Sequence, residues 1–133
     1  MHRDEKIPLT EAEWHIISCL WRRQPRTIMQ LTRDLHDETG WTKYTVIALL
    51  KRMQAKGTVR LEAGGRATNV YAQVSRERAC TEQTHTLLNR LFDGKVSALV
   101  CNMVDRQELS SEELDELSAI IARAKEEQRE GER

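Results

Sequence analysis

Apolar residues recur at helical spacing in six stretches of this chain and at strand spacing in two. In the first helical stretch Trp14, Ile17, Leu20 and Trp21 share one face, as residues three and four apart do on an α-helix. Its start is dense with signals. Thr10 can accept from the amide of Glu13 while Glu13 reaches back to Thr10, and Leu9 can staple onto Trp14. Arg22-Arg23-Gln24-Pro25 ends the stretch, because proline cannot continue a helix. A second helix, from about Ile28 to Glu38, turns Ile28, Leu31 and Leu35 inward and stops at Gly40. The third spans Trp41 to Gly57, with Thr42 as its N-cap and Val46, Leu49, Leu50 and Met53 as its buried stripe. After it, Val59-Arg60-Leu61-Glu62 and Val70-Tyr71-Ala72-Gln73-Val74 alternate at period two around the turn-rich segment Ala63–Asn69. Three helices followed by a hairpin predict a winged helix-turn-helix.

The third helix has a second face worth reading. At 100° per residue the side opposite the stripe collects Tyr44, Ile47, Ala48 and Lys51, with Thr45 and Arg52 at its edges. Aromatic, small and cationic side chains on an outward helix face suit a DNA groove better than plain water. The expected DNA contacts are therefore Thr42, Lys43, Tyr44, Thr45, Ile47, Ala48, Lys51 and Arg52, joined by Arg66 at the wing tip, which can reach a phosphate or the minor groove. Lysines and arginines usually end as solvated surface charges; what favours contact here is that Lys43, Arg52 and Arg66 surround one groove-facing surface. Tyr44 reads equally as a DNA contact or a partly buried residue of the first turn. Gly64-Gly65 lacks the strand-to-helix setting of a phosphate loop and is read as a wing tip.

The remaining residues are patterned for pairing. Thr84, Leu87, Leu88 and Leu91 stripe a helix from about Ser75 to Asp93, which Gly94 breaks. Val96, Leu99, Val100, Met103 and Val104 make a short, strongly amphipathic helix. Leu109 and Ser110 repeat the cap-and-staple pattern with Glu113 and Leu114. Leu114, Leu117, Ile120, Ile121 and Ala124 carry the last helix forward until Lys125-Glu126-Glu127-Gln128-Arg129, wholly polar, is expected to fray. Three short amphipathic helices in so few residues cannot cover their own stripes. Two-fold pairing would bury them and would set two recognition helices about one DNA turn apart. The alternative is that they fold back on the first half as a monomer. The expected pairing residues are Leu87, Leu91, Val96, Leu99, Val100, Met103, Leu114, Leu117, Ile120 and Ile121.

Charge sharpens the division. The 133 residues hold 21 basic and 21 acidic side chains, a balance that on its face argues against nucleic acid. Residues 1–74, however, carry 12 Lys and Arg against 8 Asp and Glu, a net of +4, and residues 75–133 carry 9 against 13, a net of −4. A basic module joined to an acidic one matches a DNA-contacting domain at 1–74 attached to a helical dimerisation domain at 75–133.

Cys19, Cys80 and Cys101 are scattered, which fits a reducing compartment better than a disulfide framework, and Cys19 reads as a buried free thiol. No apolar run reaches the length of a membrane span, and Met1–Lys6 lacks the apolar core of a secretion signal. A cytoplasmic protein without membrane insertion is expected. His15, His36 and His85 have no metal-ligand spacing, and no catalytic triad order, carboxylate pair or nucleotide loop stands out. Neither an enzyme nor a bound metal or other cofactor is expected.

Leu9-Thr10-x-Ala12-Glu13-Trp14, Leu20-Trp21, Tyr44-Thr45-Val46-x-x-Leu49-Leu50-x-Arg52-Met53, Lys56-Gly57 and Tyr71, in that order over roughly residues 8–125, resemble the penicillinase-repressor family of BlaI/MecI-type transcriptional repressors. The resemblance implies a homodimer that binds a dyad-symmetric operator in double-stranded DNA and blocks genes controlled by a membrane sensor, such as those of antibiotic resistance. In the antibiotic-responsive members, signalling by the sensor leads to proteolysis in the dimerisation domain, typically at Asn-Phe. Ser97–Val104 resembles that segment, which implies Asn102–Met103 as the scissile bond, with Met in place of Phe. Many relatives carry Thr where Ala48 stands and polar residues where Ile47 stands. Ile47 and Ala48 could contact thymine methyls but cannot hydrogen-bond a base edge. The copper-responsive relatives end in a pair of C-x-C motifs that this chain lacks. Control by a ligand or protein instead of proteolysis, or a winged-helix scaffold that binds protein, are the competing expectations.

Overall fold

A computed structural model describes residues 9–132; the reading of Met1–Lys6 falls outside them. In chain order the elements are α1 (Glu11–Arg22), β1 (Arg26–Thr27), α2 (Ile28–Thr39), α3 (Lys43–Lys56), β2 (Val59–Gly64), β3 (Ala67–Ala72), α4 (Arg76–Phe92), α5 (Val96–Asp105) and α6 (Ser111–Gly131). The chain divides into two compact units, Met1–Thr84 and His85–Arg133.

The first unit is built on three capped helices. At α1 the Thr10 side chain accepts from the Glu13 amide at 3.2 Å, and Glu13 accepts from the Thr10 amide at 3.0 Å. A second reciprocal box, between Thr27 and Gln30, starts α2. Gly40, at φ +69°, closes α2. Thr42 does occupy the N-cap position of α3, but its side chain makes no capping bond. Gly57 ends α3 at φ +84°, and the Thr58 amide returns to the Met53 carbonyl at 2.9 Å. This left-handed turn costs a glycine little, and it drops the chain straight into β2.

The core of this unit is drawn from α1, α2, α3, β2 and β3. Ile16, Ile17, Leu20, Leu31, Leu35, Val46, Leu49, Leu50, Met53, Val59 and Val70 are buried, with Trp14, Trp21, Ile28 and Trp41 packed around them. Ile16 is an addition to the α1 stripe, and Trp14 and Trp21 lie half-buried at its margin. The Trp21 indole donates to the Val74 carbonyl at 2.9 Å, which fastens the end of the hairpin to α1. Cys19 is buried, and burial pushes its thiol pKa up although the nearby Arg22 opposes the shift; a protonated, enclosed thiol is poorly reactive.

The sheet differs from the expected hairpin in two ways. It has three strands in the order β1-β3-β2, all antiparallel, because Arg26 and Thr27 pair with Val70 and Asn69. A two-residue strand has no alternation to betray it. The hairpin strands also run further into the turn-rich segment than expected, pairing as far as Gly64 with Ala67. Gly65 and Arg66 alone make the turn, with Gly65 at φ +67°. Glycine at the first central position of a two-residue turn matches the twist of the strands.

α4 starts in the first unit, where Ala79 is buried, and continues past Thr84. From His85 to Glu132 no residue is buried. α5 and α6 are regular helices whose apolar stripes stay partly exposed in the single chain. α6 opens with the expected box between Ser110 and Glu113. Its polar end does not fray: the helix is continuous to Gly131. Lys, Glu, Gln and Arg are strong helix formers, and Arg129 pairs with Glu126 at 3.5 Å. No helix among the described residues is long and apolar enough to cross a membrane.

Candidate nucleic-acid interface

Burial of Val46, Leu49, Leu50 and Met53 fixes the rotation of α3 about its axis. The opposite side must then face outward, and it does. Lys43, Tyr44, Thr45, Ala48, Lys51 and Arg52 are exposed, as is Thr42 at the N-cap, while Ile47 is half-buried. Tyr44 is 72% exposed, which separates it from the core. Its ring is crossed by the Lys43 ammonium at 5.3 Å, a contact of the cation–π kind. Arg66 is exposed at the wing tip. All nine of the expected DNA-contact residues thus lie in the first unit, eight on or capping α3 and one on the hairpin.

A buried charge seats this helix. Glu13 of α1 is wholly enclosed, and its carboxylate receives Lys56 Nζ at 2.9 and 3.1 Å and Arg52 Nε at 3.2 Å. Burial by itself raises the carboxyl pKa; bonds from the Thr10 amide, Lys56 and Arg52 outweigh it and hold the pKa below its usual value. An ionised carboxylate in the interior is tolerated only when paired in this way. The arrangement ties α1 to the last turns of α3 and commits one nitrogen of Arg52 inside the protein, with the side chain still 55% exposed.

Reading the residues alone missed this cluster because the capping box had already accounted for Glu13. The available signal was the pair Arg52 and Lys56, four residues apart at one edge of the buried stripe. The wing has a smaller counterpart: the Arg60 guanidinium lies 4.3 Å over the Tyr71 ring and pairs with Glu62 at 2.7 Å.

In the second unit the ten expected pairing residues are all at least partly exposed. Leu91 and Val96 are exposed to about three-fifths and Ile120 and Ile121 to about half. Asn102 and Met103 are both exposed on α5.

Known proteins share this plan. A family model described as penicillinase repressor matches residues 9–123. The chain is 25% identical over 118 residues to the penicillinase repressor of Bacillus licheniformis, covering 88% of this chain and 92% of that protein. It is 21% identical over 113 residues to the methicillin resistance regulatory protein MecI of Mammaliicoccus sciuri, covering 85% and 92%. The solution structure of the DNA-binding domain of the repressor BlaI superposes with a TM-score of 0.50 at 20% identity, over 56% of this chain and 92% of that domain, which establishes the winged-helix fold. With the family pattern running from α1 to α6, the chain belongs to the penicillinase-repressor family.

Proposed function

We propose that this protein is a non-enzymatic, homodimeric transcriptional repressor that binds a dyad-symmetric operator in double-stranded DNA. The observation that carries the reading is the outward face of α3. A helix seated by a four-residue apolar stripe and by a buried ion cluster presents Tyr44, Ala48 and Lys51 to the outside. In this role Lys43, Lys51, Arg52 and Arg66 lie along phosphates, Thr42 and Thr45 approach the backbone at the helix start, and Tyr44, Ile47 and Ala48 meet the bases. Apolar Ile47 and Ala48 favour thymine methyl groups. The names of its relatives add a class of target, the genes of β-lactam resistance, and a cytoplasmic setting follows from binding DNA.

Pairing through α4, α5 and α6 supplies the dyad. Release is proposed to follow a membrane sensor's signal through cleavage at Asn102–Met103. Both residues are exposed, but they lie within α5, so a protease that takes extended substrates must first open that helix. Separating the two sides of this bond would cut the pairing face in half and leave α3 intact.

Selection of bound duplexes from a random-sequence pool tests the DNA reading. Inverted repeats with half-site centres about 10 bp or a multiple apart are expected from a two-fold dimer; failure to enrich any duplex would favour a scaffold that binds protein. Blotting the chain in cells during induction tests release: fragments ending at Asn102 are expected, and derepression with intact chain would eliminate cleavage.

A further inference from the structure

A cleft of about 430 Å³ lies in the first unit, lined by Trp14, Ser18, Trp21 and Arg22 of α1 and by Arg76 and Cys80 of α4. Its volume falls in the range of small-molecule sites. Among the described residues its chemistry is one-sided, since both charged residues that line it are arginines. A neighbouring cleft beside Cys19, Arg22 and Arg23 also carries Arg26, but there Arg26 is already closed onto Asp34 at 2.7 Å. Among the described residues that line the first cleft, no carboxylate closes onto Arg22 or Arg76 in that way.

Its aromatic wall is fixed in place. Trp14 and Trp21 meet edge to face, with ring centroids 5.4 Å apart and planes at 81°. The Trp21 indole is held by its bond to the Val74 carbonyl, so the ring cannot turn freely to fill the opening. Both indoles stay half-buried, which leaves part of each open to a visitor. An entering aromatic ring would gain stacking or edge contacts there. A carboxylate on that ring would find Arg22 and Arg76, whose planar guanidiniums bind carboxylates in paired hydrogen bonds. A neutral ring would leave both cations unmatched, a cationic one would be repelled, and a bare inorganic anion would leave the indoles unused.

We infer that the cleft between α1 and the start of α4 is a binding site for a small aromatic carboxylate, with Trp14 and Trp21 taking the ring and Arg22 and Arg76 taking the carboxylate. The site stands apart from the DNA reading, because its test contains no DNA. Cys80, exposed and lining the cleft, supplies a built-in reporter, and Cys101, exposed on α5, supplies its control.

Titration calorimetry of the full chain with naphthoate and with the neutral naphthylmethanol tests the inference. Saturable naphthoate binding is expected, at least about tenfold tighter than the alcohol, as a charge-assisted pair requires. The preference should vanish in the Arg22→Gln, Arg76→Gln double variant. Saturating naphthoate should slow alkylation of Cys80 several-fold in the wild-type chain and leave Cys101 unchanged, a readout that does not depend on the variant folding. Absence of saturable binding, equal affinity for acid and alcohol, a preference that survives the double substitution, or an unprotected Cys80 at saturation would each overturn it.

Discussion

Glu13 serves two purposes with one carboxylate. It closes the α1 cap against Thr10, and it holds Lys56 and Arg52 of α3. Replacing it with Gln keeps the size but removes the charge that two cations approach, and a loss of about 1–3 kcal/mol in unfolding free energy is expected from urea denaturation. The pH dependence has a definite direction. The folded-state pKa lies below the ordinary value of 4.5, so the cluster contributes its full stability above that value and loses it as pH falls through the folded pKa. The stability gap between wild type and Glu13→Gln should therefore be constant near neutrality and close on acidification; a gap that widens in acid would refute the ionised, paired carboxylate. Arg52 has two candidate partners, Glu13 and a DNA phosphate. Arg52→Ala is expected to weaken binding similarly across sequences and to reduce the salt slope by about 1. A lowered melting temperature with an unchanged slope would assign Arg52 to Glu13 alone.

At the scale of elements, most of the fold was legible because periodicity and caps agree. The stripes of α2 and α3, the boxes at Thr10 and Ser110 and the stop at Gly57 can all be read from residue type and spacing, and the structure has them. What could not be read falls where local and tertiary signals part. β1 exists only because β3 offers it an edge. The length of α6 rests on good helix formers, which a polarity pattern alone discounts. Glu13 was visible as a cap and invisible as a buried ion, since its cations arrive from far along the chain. Which residues of α3 face outward was legible, since burying its stripe leaves no alternative. Gly57→Ala tests the junction of α3 and β2. Beyond the adjoining residues, no atom of the described residues lies within 4 Å of the added Cβ, so the cost comes from the left-handed backbone, about 1 kcal/mol in thermal or urea unfolding. A neutral substitution would show that the turn relaxes without consequence for α3.

At the scale of the whole molecule, the two units pose opposite problems. The first buries a core of its own; the second leaves every apolar stripe at least partly exposed. Leu91, Val96, Ile120 and Ile121 are exposed in the single chain, and in the proposed dimer a second copy would cover them in a way that yields a dyad. Leu91→Glu with Ile120→Glu should convert a dimer to a monomer in sedimentation equilibrium and reduce affinity for a two-half-site duplex by at least about tenfold. A chain that sediments as a monomer before substitution would contradict pairing.

Whether paired copies of α3 and the wing grip DNA can be measured most directly by fluorescence anisotropy of the wild-type chain on a selected duplex across a salt series. Two chains per duplex are expected, with a logarithmic affinity that falls linearly with the logarithm of salt at a slope of about −0.9 for each phosphate neutralised. No measurable DNA affinity at low salt, or an affinity indifferent to salt, would contradict such a grip.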